Sequence, residues 1–245
     1  MKFGGTSVGS PERIETAARL IAHSAQSHSV VVILSAMSKV TDLLLDTLNL
    51  AEQGQLEDVE ANLVSLRQRH REACAALLPP EAQEVANERI DQIIDDFGRI
   101  ARGMLMLGEK PPRSVDDAVT TGEKLSVLLC TALLRSRGAA AEAIHGTDLI
   151  VTDDQFGDAP PIIEATSEKT RARLQPLLDK TARSLSSPVS MAQPTTAYPS
   201  PSAVAVRTFR PLSSPPLSTR RSCGSGPTWT AFSPPTRASF PARAS

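Results

Sequence analysis

No stretch of this chain is apolar for long enough to cross a bilayer, which takes about 20 mostly apolar residues. Nothing at its start has the charged-then-apolar build of a secretory signal. A membrane protein and an exported one are therefore both unexpected. Cysteine is scarce: Cys74, Cys130 and Cys223 stand far apart with no CxxC pair. That spacing argues against a zinc ribbon and a disulfide framework, and it predicts a reducing, cytoplasmic compartment. The third deficit is regional. From Thr181 to Ser245 there is no Asp, Glu, Lys or Ile, yet the segment holds 11 of the 19 prolines, 14 serines and seven arginines. Residues 1–180 carry 19 basic and 27 acidic side chains, a charge of −8, which leaves +7 on the tail of a chain whose net charge is −1. The tail has neither strand nor helix periodicity, cannot bury enough apolar surface to offset its ordering entropy, and is expected to be disordered. It also lacks the lysine clusters and interleaved aromatics of a nucleic-acid-binding arm, so no nucleic-acid partner is expected.

The first 180 residues have the patterning of an α/β domain. Lys2-Phe3-Gly4-Gly5-Thr6-Ser7 leads into Ser10-Pro11, an N-cap and a first helical position, so the order is strand, glycine turn, helix. Glycines let a backbone approach an anion, free N–H groups and hydroxyls donate to it, and a lysine adds full charge. A phosphate cradle and a plain tight turn are both compatible with these residues. Val30 to Leu34 is a continuous β-branched and aliphatic run, the mark of a buried strand in a parallel sheet. It ends in Ser35-Ala36-Met37-Ser38-Lys39-Val40-Thr41-Asp42, at the strand end where open α/β sheets place ligands, although Ser35, Thr41 and Asp42 could equally cap the next helix.

From Leu43 to about Met106 the pattern predicts three helices, an insertion spanning about 43–112 packed on the sheet's edge. His70, among Arg67, Arg69, Arg71 and Glu72, reads as part of a solvated helix face. Ala118-Val119 is expected to be a short strand feeding a turn at Gly122, with Glu123 in the first turn of the helix that follows, where an acid complements the dipole. Strands are expected at Ala139 to Ile144 and Leu149 to Val151, a loop at His145 to Asp148, and a last helix from Thr166 to Leu178. The aspartates of Asp153 to Ala159 suggest a loop and not a metal site, since their spacing lacks the EF-hand glycine and closing glutamate.

KFGGTS, SAMSKVTD and TTGEKLS, in this order, resemble the signatures of aspartate kinases, within the amino-acid kinase family. The DxxFGxA string from Asp153 is similar to an acidic loop of that family, and the chain begins almost on the first motif. The resemblance implies a three-layer α/β/α sandwich with a mainly parallel sheet, incomplete in this chain. It implies a transferase that moves the γ-phosphoryl of ATP, with Mg²⁺, to the side-chain carboxylate of L-aspartate. The product, 4-phospho-L-aspartate, opens lysine, threonine and methionine biosynthesis. Lys2 would neutralise the transferred group, with Gly4, Gly5, Thr6 and Ser7 on the phosphates, Ser35 in the substrate loop, and Thr41 and Glu123 on aspartate. No dedicated metal ligands are implied, and intact family members are homo-oligomers. Other amino-acid kinases, acting on glutamate, carbamate or a nucleotide, would share the fold but not the three motifs together. A non-catalytic fragment that pairs with an intact subunit also fits the literal chain.

The tail departs from the family. Read one base back, so that each codon takes the last base of the preceding residue, Ser187 to Gln193 permits VTGFNGA and Thr195 to Ala197 permits DDG. Ala203 to Ser214 permits GRGGSDFSATLL, and Gly224 to Arg237 permits WIWTDVDGVLTADP. These strings resemble the family's next strand, second glycine loop and nucleotide segment, in order. A one-nucleotide frameshift near codons 180 to 184 is the expectation.

Overall fold

The computed structural model describes residues 1–152 and 160–179 and the backbone of 205–208. The acidic loop at 153–159, Cys223 and the blocks that permit family strings elsewhere in the tail lie outside the described residues. Strand β1 (Lys2–Phe3) is followed by α1 (Pro11–Ala25) and β2 (Val30–Leu34). Helices α2 (Val40–Glu52), α3 (Leu56–Leu77), α4 (Pro80–Leu107) and α5 (Pro112–Ser136) come next. The chain then forms β3 (Glu142–Ile144), a 3-10 turn at Gly146–Asp148, α6 (Ile163–Asp179) and β4 (Ala205–Thr208).

The sheet order is β1-β2-β4-β3. The alternation of strand, helix and strand makes β1 and β2 parallel, as expected, with Lys2 opposite Ile33 and Phe3 opposite Leu34. β4 runs antiparallel to both β2 and β3, so β1, β2 and β3 share one direction and the sheet as a whole is mixed. Four residues of the tail thus form a strand, where composition predicts none.

Alternation along β2 divides the core. Val30, Val32 and Leu34 join Ile14, Ala18 and Ile21 of α1 and Leu129 and Leu133 of α5 in the main cluster. Val31 faces a second cluster made by Ile144, Leu149, Leu174 and Leu177, which brings α6 against the other side.

The three insertion helices form where expected, but they pack on one another and on α5 and α1 and not on the sheet's edge. Their apolar positions recur at helical spacing, Val59, Leu63, Leu66 and Cys74 on α3 facing Ile90, Ile94 and Phe97 on α4, which is how helices bury a stripe. His70 corrects the reading of a solvated face. It falls on that same stripe and is 0% exposed, while Arg67 and Arg71 turn outward to Asp91 of α4. Cys74 and Cys130 are buried free thiols, and burial pushes Cys130 up to about 12.

The second correction is at α5. No strand forms at Ala118-Val119 and Gly122 makes no turn, because one helix runs through the whole segment. The burial of Ala118, Thr121, Leu125, Leu129 and Leu133 follows the helical period, which outweighs the local strand signal of Val119 and its β-branched neighbours. The strand after α5 is shorter than read, only Glu142–Ile144, and Leu149 to Val151 is no strand. There Ile150 N–H donates to Gly146 O and one antiparallel bridge joins Thr152 to Pro161.

Candidate active site

Because β1 and β2 are parallel neighbours, the loops that follow them leave from the same end of the sheet. Ser35 N–H donates to Phe3 O at 3.1 Å, so the second loop starts beside the first. The glycine loop then turns sharply, with Ser7 N–H donating to Gly4 O at 2.8 Å. A Cβ on Gly5 would stand 3.0 Å from Ala36 O, and one on Gly9 would stand 2.3 Å from Ser38 Oγ. The glycines are required by this close passage of one loop against the other. Among the described residues the amides of Gly4, Gly5 and Thr6 meet no acceptor, and the Thr6 and Ser7 side chains are exposed. Lys2 is exposed and without a hydrogen bond or ion pair among the described residues. A groove of about 430 Å³, lined by Phe3, Thr6, Ser7, Arg13, Thr16, Ala17 and Leu20, flanks the loop on its α1 side.

In the second loop Ser35 is half-buried, and Lys39 takes a left-handed backbone conformation, φ 61°, immediately before α2. Lys39 stands at the N-cap position and no side chain caps the helix, so Ser35, Thr41 and Asp42 are not there as caps. Ser10 likewise stands at the N-cap of α1 without capping it; its hydroxyl donates to Glu12 at 2.6 Å and holds that carboxyl below its usual range.

The third motif meets the second through Gly122. A Cβ there would lie 2.8 Å from Ala36 Cβ and 3.0 Å from Val40 Cγ1, so α5 passes directly under the loop after β2. Glu123 is the next residue, near the middle of α5 and not in its first turn, which removes the helix dipole as its reason for being acidic. It has no hydrogen bond or ion pair among the described residues, and burial pushes its carboxyl up to about 7. Lys124 does not neutralise it: that charge acts on Asp117 and His145 instead. His145 is half-buried, and burial lowers its pKa.

The three motifs are therefore joined in tertiary space, Gly5 and Gly9 to Ala36 and Ser38, and Ala36 and Val40 to Gly122. Sequence reasoning missed Ser38, Gly9, Arg13 and Arg69 as parts of this arrangement, because their contacts cross from one element to another. No group of three or more His, Cys, Asp or Glu side chains is placed to hold a metal ion among the described residues.

A profile of the amino acid kinase family matches residues 1–183. The chain is 31% identical over 162 residues to the aspartokinase of Candida albicans, covering 63% of this chain and 29% of that protein. It is 28% identical over 179 residues to the lysine-sensitive aspartokinase 3 of Escherichia coli K12, covering 73% of this chain and 38% of that protein. The structure resembles E. coli aspartokinase III in complex with aspartate and ADP, with a TM-score of 0.63 and 27% identity over 73% of this chain and 38% of that one. The chain thus spans well under half the length of these relatives. With the family profile, the three motifs and the likeness in fold in agreement, the chain belongs to the amino acid kinase family.

Proposed function

We propose that this chain carries the aspartate-recognising and phosphate-cradling part of an aspartate kinase. The observation that supports it best is the close packing of the glycine loop, the loop after β2 and Gly122-Glu123 of α5 at one end of the sheet. The names of the relatives supply the substrate class: aspartokinases, one solved with aspartate and ADP. In this reading the γ-phosphoryl of MgATP passes to the side-chain carboxylate of L-aspartate and gives 4-phospho-L-aspartate, the entry to lysine, threonine and methionine synthesis. Such a transfer asks for position and charge neutralisation more than for covalent chemistry. Lys2 neutralises charge on the phosphoryl group, and Gly4, Gly5, Thr6 and Ser7 donate to its oxygens. Ser35 and Thr41 shape the substrate loop around aspartate. Glu123 receives the ammonium group. The attacking carboxylate is already ionised at neutral pH, so no general base is needed. Mg²⁺ enters with the nucleotide as part of the substrate.

Calorimetric titration of the 245-residue protein with L-aspartate tests the assignment of Glu123. An ammonium ion binds the ionised carboxylate, so affinity should fall about tenfold per pH unit below about 7 and level off above it. Glu123→Gln should weaken binding by at least about 30-fold and remove the pH dependence. Equal, pH-independent affinity in both proteins would refute the role.

A further inference from the structure

Three successive carbonyls of the glycine loop are held by three different partners. Gly4 O accepts from Ser7 N–H at 2.8 Å. Gly5 O accepts from the Ser38 hydroxyl at 3.1 Å, and Thr6 O accepts from the Arg13 guanidinium. A trans peptide points its C=O and the following N–H in opposite directions, so tying a carbonyl down fixes where the next amide looks. The Thr6 carbonyl commits the Ser7 amide to the turn. The Gly4 and Gly5 carbonyls leave the Gly5 and Thr6 amides facing away from those partners, where they meet no acceptor among the described residues. Ser38 is itself held, since Arg69 of α3 donates to Ser38 O at 2.7 Å. Gly9 leaves the space that the Ser38 hydroxyl occupies.

We infer that Ser38 is a positioning residue that aims the Thr6 amide as an anion donor, and that Arg69 ties this aim to the helical insertion. The inference rests on the phosphate reading of the glycine loop and names the group that sets its geometry. Without the Ser38 hydroxyl, the Gly5–Thr6 peptide is free to rotate, and the direction of the Thr6 amide is no longer set. The insertion then has a role beyond packing: α3 supports the loop after β2, and that loop supports the phosphate cradle.

The test uses the ¹⁵N-labelled 245-residue protein with inorganic triphosphate as the probe. In the wild type, triphosphate should shift the Gly5 and Thr6 amide resonances and slow their hydrogen exchange. Ser38→Ala should speed exchange at Thr6 and weaken triphosphate binding, each by about fivefold, the effect of losing one neutral hydrogen bond. Exchange within α4 should not change, and Ser38→Thr, which keeps a hydroxyl, should restore both readings. Gly9→Ala should reproduce Ser38→Ala, and Arg69→Met should move the same two readings in the same direction. Thr6 exchange unchanged in Ser38→Ala, or Ser38→Thr as impaired as Ser38→Ala, would overturn the inference. If triphosphate moved no wild-type amide while Ser38→Ala still freed Thr6, the phosphate reading would fail and the positioning by Ser38 would stand.

Discussion

At the scale of single residues, half-buried Glu123 and buried His70 make the protein's stability depend on pH in opposite directions. Glu123 ionises near 4.5 in the unfolded chain and at about 7 in the folded one, because burial penalises its charge. The folded state therefore binds this proton more tightly. Stability from this group is complete below pH 4.5 and is lost as pH rises through about 7. Glu123→Gln should accordingly raise the unfolding free energy from urea titration at pH 8, by on the order of 1–3 kcal/mol after allowance for partial exposure, and do little at pH 4. Identical midpoints at pH 8 would mean that the carboxylate is already neutralised. An unpaired acid that weakens the fold is what a ligand-binding group looks like before its cation arrives.

His70 behaves the other way. Its Nδ1 lies 2.7 Å from Leu66 O, its Nε2 has no partner among the described residues, and desolvation lowers its pKa from 6.5 to about 4, aided by the nearby Arg69 charge and opposed by the bond to Leu66. The unfolded chain takes up this proton first, so the contribution is complete above pH 6.5 and is lost as pH falls through about 4. Replacing it by a group that does not titrate, His70→Gln, should flatten the fall in thermal midpoint between pH 6.5 and 4. A wild-type slope kept intact in that variant would place the acid sensitivity elsewhere.

At the scale of elements, α5 matters most, because it carries the third motif under the second. Glycine inside a helix costs about 1 kcal/mol relative to alanine, so Gly122→Ala should stabilise a helix that stood alone. Here the new methyl would lie 2.8 Å from Ala36 Cβ and 3.0 Å from Val40 Cγ1. Ala36 Cβ is fixed to its backbone and Val40 Cγ1 is limited to few rotamers on a helix, and overpacking of this kind costs about 1–3 kcal/mol. The net prediction is destabilisation by up to about 2 kcal/mol, with weaker aspartate binding, measured by denaturant titration and calorimetry. A more stable Gly122→Ala protein would show that α5 and the loop after β2 are not in this contact. The same packing explains why a glycine that reads as a turn in the sequence sits in mid-helix.

At the scale of the whole molecule, the end of the family match at residue 183 falls where the composition changes, near Lys180. That coincidence supports the frameshift reading, because two unrelated properties break at one place. Sequencing the DNA across Lys180 to Ser184 should reveal a one-nucleotide lesion. A coding sequence in frame there, confirmed by a peptide from the tail, would defeat the proposal. Restoring the frame should raise phosphoryl transfer from ATP to aspartate by at least about 100-fold over the 245-residue protein, the scale of losing phosphate-binding donors. Full turnover by the unrestored chain would show instead that residues 181–245 suffice as they stand.

What the sequence determined by itself was local. The apolar period placed α1, β2, the three insertion helices and α6, and the first two motifs were legible as loops because their glycines and hydroxyls stand in recognisable order. The tertiary structure decided whatever depended on a neighbour distant in the chain. Burial of His70, the course of α5 through Gly122, the packing of the insertion on α5, and the hold of Ser38 on Gly5 all follow from contacts between elements. The physical reason is that periodicity reports which face of an element is apolar, while the identity of what covers that face is set only when the elements meet.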